Sequence, residues 1–451
     1  MIFSSAEFLF LFFCCSLLGY YNPVFKGRRF RNVFLLLVSL FFYAWGEPVY
    51  VLLLLASIAV NWVLGGRAAG GMPHRRAALI GAVVCNLAGL FVFKYLGFVC
   101  ANLRLLGIPA PEMHPALPIG ISFYSFQALS YVIDVYRGKS PPQRSVLDVG
   151  LYVAFFPQLI AGPIVRYETV AHEIHHRQES WEDFREGVPR FITGLGKKLI
   201  LANQTALVAD AAFSSASLSA PMAWLGAITY ALQIYFDFSG YSDMAIGLGR
   251  MFGFHFLENF NRPYQAVSVT DFWRRWHISL STWFRDYVYI PLGGNRAGRG
   301  RHLLNLFIVW MLTGIWHGAN WTFVLWGLGY FLLLMAEKYG GLDRRLGALR
   351  RPYTLLCVLL LWVLFRADSL GHAGRYFSAM FTGGRGGCDD FLYYFGNMKV
   401  YLAAAVLCCL PTEGLWRHIP ERALEWLKAG GLIALLLLEI TFVVSVRGQD
   451  N

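Results

Sequence analysis

Val51-Leu52-Leu53-Leu54-Leu55 opens a stretch, 48–66, in which apolar residues follow one another with almost no polar interruption. A half-buried strand alternates apolar and polar positions, and an outer-membrane barrel repeats that alternation strand after strand. This run does neither, so it reads as a hydrocarbon-spanning helix, which needs about 20 mostly apolar residues. The rest of the 451-residue chain agrees: it is 57% hydrophobic, 16% aromatic and only 15% charged, against about 25% charged in soluble domains. A chain of this length has room for about ten to twelve spans. Disordered, collagenous and nucleic-acid-binding chains are excluded by the same composition.

The net charge of +12 sits in short clusters between apolar stretches. Lys26/Arg28/Arg29/Arg31, Arg67/Arg75/Arg76 and Arg137/Lys139/Arg144 are each separated from the next by two spans, while the turn Gly46-Glu47-Pro48 carries no basic residue. By the positive-inside rule these clusters are cytoplasmic and the N-terminus faces outside. The first segment lacks the basic start of a signal peptide and reads as a retained span, 4–25. The eight cysteines fall mostly inside apolar stretches without metal-ligand spacing and read as small hydrophobes; Cys388 is the one expected to meet water.

Apolar runs and their punctuation place further segments at 32–46, 48–66, 78–97, 117–137, 146–166, 191–214, 221–249, 303–317, 319–337, 353–366, 393–411 and 427–446. Between them, Tyr167 to Arg190 is too charged to span and reads as a surface amphipathic helix or loop. Gly253 to Arg301, rich in Trp, Tyr and Arg, has no span-length apolar run and reads as interfacial or re-entrant helices. No internal repeat or linker appears, so the chain is taken as one membrane domain, 1–451.

Several residues stand out against this apolar background. His317, in Trp316-His317-Gly318-Ala319-Asn320-Trp321, is an ionisable group at membrane depth and thus a candidate functional residue; an interhelical hydrogen-bonding histidine is the equal alternative. Gly318 leaves room for another molecule to approach the imidazole, and Asn320 falls on the same helical face. His277 lies in the block from Asp271 to Tyr287, where helical spacing puts Trp273, Trp276 and His277 on one face with Arg274 and Arg275 beside it. That block is either an interfacial anchor or the wall of a site for an anionic or thioester substrate. Asp237 and Tyr241 share a helical face at i,i+4, and Asp237 and Asp243 are expected to hold Arg or Trp side chains of the 262–287 segment, since unpaired buried carboxylates are costly. The glycines and prolines between Phe155 and Arg166 mark a broken helix end, tolerated at membrane depth where it lines a cavity, which makes Gln158 and Arg166 wall residues.

His172-Glu173-Ile174-His175-His176 fits the zinc motif H-E-x-x-H. Its C-terminal flank is aqueous and no third-ligand motif accompanies it, so it reads as a solvated histidine-rich face, with no metal expected.

Taken in order, Phe126-Gln127-Ala128-Leu129-Ser130-Tyr131, Pro157 to Arg166, Asp237 to Asp243, Asn259-Phe260-Asn261-Arg262-Pro263-Tyr264, Asp271 to Tyr287, Pro291-Leu292-Gly293-Gly294-Asn295-Arg296 and Trp316 to Trp321 resemble the membrane-bound O-acyltransferase family. The likeness is to its bacterial branch of alginate and peptidoglycan O-acetylation membrane proteins, with a core signature of about 117–337. The resemblance implies an all-α polytopic bundle of about eleven spans, with re-entrant and interfacial helices around a transmembrane tunnel. It implies His317 as the catalytic histidine, His277 as a second, less strictly required position, and Arg166 as an arginine associated with activity. Gln158, Asp271, Trp273, Arg274, Trp276, Asn320, Asp237 and Tyr241 then become candidates for the tunnel and donor site.

The implied activity is transfer of an acetyl group from a cytoplasmic acyl thioester to an extracytoplasmic polysaccharide, in the inner membrane. No bound cofactor is implied; acetyl-CoA would be the donor substrate, and a periplasmic SGNH-type acetyltransferase and membrane lipid the partners. His317 would serve as general base, and Asn320, His277 or a Trp indole N–H as oxyanion donor. D-alanyl transfer to teichoic acid and solute transport without chemistry are the competing expectations.

Overall fold

The computed structural model describes residues 1–451 apart from 114, 297, 385, 412–413, 415–418 and 448–451. Among the described residues the secondary structure is helical, and the only β-type pairing is an isolated antiparallel bridge between Ser219 and Gly384. Among the described residues, five helices are long and apolar enough to cross a bilayer: Val51–Ala68, Arg75–Leu105, Gly347–Arg366, Asp389–Cys408 and Glu421–Val444. Leu52, Ile80, Val84, Leu407 and Leu437 stand exposed on them, a surface suited to lipid and unsuited to water. Other expected segments form helices of a different make. Arg28–Gly46 carries three arginines in its first turn, and Glu7–Tyr20 is a six-residue π segment followed by eight α-helical residues.

Contacts group the chain into two units. The first comprises Met1–Phe191 and Met244–Leu257. There the spans Val51–Ala68 and Arg75–Leu105 are joined by Asn61 and Asn86, whose side-chain amides bond at 2.8 Å, the kind of polar link that holds helices together in lipid. The polar stretch after residue 166 folds into helices Tyr167–His176 and Trp181–Gly196, as its charge predicts. Glu179, just before the second, accepts from Tyr20, Arg28 and Arg31. Burial pushes its carboxyl up, but hydrogen bonds from Arg28 and Tyr20 and the charges of Arg28 and Arg31 prevail and hold it at about 2. Within the H-E-x-x-H stretch, Glu173 receives the backbone N–H of His255 at 3.2 Å and meets its Nδ1 at 2.8 Å. The other ring nitrogen lies 2.9 Å from Asp183, so the motif's glutamate is engaged in an ion-pair clamp.

The second unit comprises Ile192–Asp243 and Glu258–Asn451. Helices Arg299–His317 and Trp321–Gly340 pack with their backbones close: a Cβ on Gly314 would fall 2.4 Å from the Phe323 carbonyl oxygen, and one on Gly327 2.5 Å from that of Trp310. Only small residues permit that approach. The segment expected as one span at 191–214 is instead interrupted by a π segment, Lys197–Ala202, before Asn203–Ser214. Residues 253–301 form no span-length helix among those described; Val269–Arg275 and Ile278–Phe284 are seven residues each.

Candidate active site

The second unit holds both candidate histidines, and the local folding of residues 259–284 decides how His277 is presented. The helix Val269–Arg275 is started by Ser268, whose Oγ accepts the Asp271 N–H at 3.0 Å. Glu337, from Trp321–Gly340, accepts the N–H groups of Val269 and Thr270 at 2.6 and 2.9 Å and the Thr270 hydroxyl at 2.7 Å. The expectation that Trp273, Trp276 and His277 share a helical face is corrected here. The helix stops at Arg275, Trp276 is extended, and His277 adopts a left-handed backbone, φ 45°, from which Ile278–Phe284 starts afresh. That conformation costs an L-residue about 1–2 kcal/mol and persists where the surroundings over-determine it. Here Asn259 does so: its carbonyl accepts the Ile278 N–H at 2.9 Å, and its Oδ1 accepts the Ser279 N–H at 3.2 Å and Oγ at 2.8 Å. His277 Nδ1 lies 3.2 Å from the same oxygen.

His317 is the last residue of Arg299–His317, and Asn320 is the N-cap of Trp321–Gly340. The two therefore do not share a helical face, a second correction: the chain turns at Gly318, which is extended. Asn320 Oδ1 accepts the Thr322 N–H at 3.1 Å and its Nδ2 donates to the Asp368 carbonyl at 2.8 Å, so the amide is occupied at a helix start. The space beside Gly318 is filled by Phe323, whose ring would lie 2.1 Å from a Cβ at that position; it is not an opening for a ligand. Edge-on aromatic rings enclose His317: Trp316 and Trp326 with centroids at 5.0 Å and Phe365 at 5.1 Å. Trp316 also meets His277, at 5.9 Å, and so touches both imidazoles.

A cavity of about 320 Å³ is lined by Trp273, Arg274, His302, Trp310, Thr313 and Lys338, among others. Thr313 is one helical turn before His317. Trp273 stands edge-on against Trp310, Tyr330 and Trp326, whereas Trp276 turns away onto Phe260 and Trp362. His302 sits between Lys338 Nζ at 2.9 Å and the Tyr339 hydroxyl at 2.7 Å. Sequence reading missed His302, Lys338, Glu337 and Asn259, although the first three are polar groups at the ends of apolar segments, a signal that marks candidates.

Asp271 bonds Arg275 at 2.9 Å and the Val267 N–H at 3.2 Å, which makes it part of the scaffold of its helix. The carboxylates of Ala220–Met251 hold lysine side chains. Asp237 pairs with Lys198 at 2.6 Å and Asp243 with Lys197 at 2.5 Å, both lysines of the π segment; Tyr241 follows Asp237 by one turn. In the first unit, the chain breaks as expected after Val146–Ala154, with a four-residue turn Phe156–Leu159. Gln158 is buried there and donates to the Tyr152 carbonyl at 2.5 Å. Arg166 pairs with Glu168 at 3.0 Å at the start of Tyr167–His176.

Comparison with known proteins places these residues in company. The model of the membrane-bound O-acyltransferase family matches residues 143–359, which include Arg166, His277 and His317. A probable alginate O-acetylase of Pseudomonas aeruginosa is 45% identical over 395 residues, 85% of this chain and 75% of that protein. A peptidoglycan O-acetyltransferase of Helicobacter pylori is 36% identical over 419 residues, covering 84% and 80%. A teichoic acid D-alanyltransferase of Bacillus subtilis is 27% identical over 339 residues, covering 70% and 82%.

Proposed function

The chain belongs to the membrane-bound O-acyltransferase family and is an O-acyltransferase; from that premise we propose that it moves acetyl groups from cytoplasmic acetyl-CoA across the membrane for O-acetylation of an extracytoplasmic polysaccharide of alginate or peptidoglycan type. The observation that carries this reading is His317 at a helix end, walled by three aromatic rings, one turn beyond a cavity whose lining combines apolar and aromatic side chains with Arg274 and Lys338. Trp273 and Trp310 suit an acyl chain and its carrier arm, and Arg274 and Lys338 suit the carrier's phosphates. Acetyl is favoured over D-alanyl because the relatives named for O-acetylation are 45% and 36% identical and the one named for D-alanylation 27%.

In the proposed step, the acceptor hydroxyl gives its proton to neutral His317 while its oxygen bonds to the acyl carbon. The carbon–sulfur bond then breaks and the proton passes to the departing thiolate, so thioester and alcohol become ester and thiol. The oxyanion needs a donor. With Asn320 engaged at its helix start, the Trp326 indole N–H, buried and without a hydrogen-bond partner among the described residues, is the better candidate.

The wider proposal is a bundle of about eleven spans around a tunnel in the inner membrane, N-terminus periplasmic, with Gln158 and Arg166 in the tunnel wall. A periplasmic SGNH-type acetyltransferase would take up the acetyl group. The basic clusters between the first spans support the orientation. The test is acetyl transfer from labelled acetyl-CoA by purified protein in lipid vesicles. His317→Ala should abolish it while insertion and folding persist; an active His317→Ala protein would overturn the assignment.

A further inference from the structure

We infer that Asn259 is a positioning residue that fixes the tautomer of His277, and thereby decides what kind of group that imidazole can receive. The Ser279 backbone N–H can only donate, and it lies 3.2 Å from Oδ1 of Asn259, so the oxygen and not the nitrogen of the amide faces this corner. The amide nitrogen is used on the other side, 3.0 Å from Ser242 Oγ. An amide oxygen only accepts. His277 Nδ1, 3.2 Å from it, must therefore carry the ring proton. Ser279 Oγ also approaches Nδ1, at 3.4 Å, but its own proton is directed to Oδ1 at 2.8 Å, which turns a lone pair toward the ring.

A neutral imidazole has one N–H. With Nδ1 protonated, Nε2 is a bare acceptor, and it is buried without a hydrogen-bond partner among the described residues. Both residues are shielded, Asn259 0% and His277 1% exposed. The rings beside His277, Phe238 at 4.6 Å and Trp316 at 5.9 Å, offer Nε2 no carboxylate; the titratable neighbour acting on it is His317. Asn259 also secures the left-handed backbone of His277 by accepting the next two N–H groups. One residue, through its backbone carbonyl and its side-chain amide, thus sets position, orientation and proton.

The consequence sorts the substrates His277 can touch. A bare Nε2 receives groups that bring a proton: the acceptor hydroxyl before attack, or the thiol after it. It does not stabilise the oxyanion, which needs a donor. This functional role rests on the acyl-transfer reading above; the tautomer does not.

The decisive measurement is the ¹⁵N spectrum of histidine-labelled protein in detergent, with the His277 signals identified by their loss in His277→Gln. A protonated Nδ1 and unprotonated Nε2 are expected; the reverse pattern, or an equal mixture of the two tautomers, would overturn the proposal whatever the activity. Asn259→Asp keeps the same acceptor and adds a charge that favours the imidazolium. The acidic limb of its kcat/KM profile should move up by about one pH unit or more. In Asn259→Leu the tautomer should become mixed and KM for the acceptor rise, with KM for acetyl-CoA unchanged. An unmoved limb in a folded Asn259→Asp protein would confine Asn259 to a structural role and refute the functional part. If the wild type transfers no acetyl group, the acyl-transfer reading falls and the spectrum still decides the tautomer.

Discussion

At the residue scale, the tightest constraint beside the candidate base is Gly318. A methyl group there would meet the ring of Phe323 at 2.1 Å, and the ring is held in turn by Phe365 at 4.9 Å. Gly318→Ala is therefore expected to cost about 1–3 kcal/mol through overpacking, read as a lower unfolding midpoint in detergent; an unchanged midpoint would show that Phe323 yields freely. This residue also shows the reach of sequence reading. His317 was legible because an imidazole in an apolar, tryptophan-rich segment is conspicuous. Gly318 was legible as a missing side chain but not as an occupied space, because its occupant folds back from five residues further on. Asn259 was invisible as a partner of His277: eighteen residues separate them, and only the turn after Arg275 brings them together.

At the element scale, two clamps carry predictions. Glu337 accepts three hydrogen bonds at the start of Val269–Arg275. Glu337→Ala strands the buried Val269 N–H, at a cost of about 1–3 kcal/mol, and the partly buried Thr270 N–H; faster proteolysis near residue 270 and reduced acetyl transfer are expected, with partial recovery in Glu337→Gln. The second clamp is His255 between Glu173 and Asp183. Burial lowers its basicity, but its hydrogen bonds to Asp183 and Glu173 and their negative charges outweigh that and raise its pKa above the ordinary value. Its stabilising contribution is therefore complete below the unfolded value, about 6.5, and is lost as pH rises through the higher folded one. The midpoint difference between wild type and His255→Gln should shrink from pH 6 to 9; a difference that grows with pH would refute the clamp. Element type was legible from composition, since apolar runs and charged stretches differ plainly. The break at Trp276–His277 and the π segment at Lys197 were not. The break is held by tertiary bonds that Asn259 accepts, and the lysines of the π segment pair with Asp237 and Asp243; local periodicity carries no trace of either.

At the scale of the whole molecule, the charge pattern makes a claim about orientation. With the cytoplasmic clusters assigned by the positive-inside rule, a cysteine replacing Glu47 in a cysteine-free background should react with an impermeant maleimide added outside intact cells, and one replacing Arg29 should not; the opposite pattern would invert the topology. Membrane character was legible throughout, because few charges and long apolar runs have one physical explanation. The number of spans was less so: helices such as Arg28–Gly46 combine span length with arginines in the first turn, and composition alone does not say how deeply those ends lie. The rings around His317 have a further consequence. An imidazolium quenches the emission of an adjoining indole and a neutral imidazole does so weakly, so Trp316 and Trp326, edge-on to that ring at 5.0 Å, make part of the tryptophan emission sensitive to the charge of His317, with Trp316 sensing His277 as well.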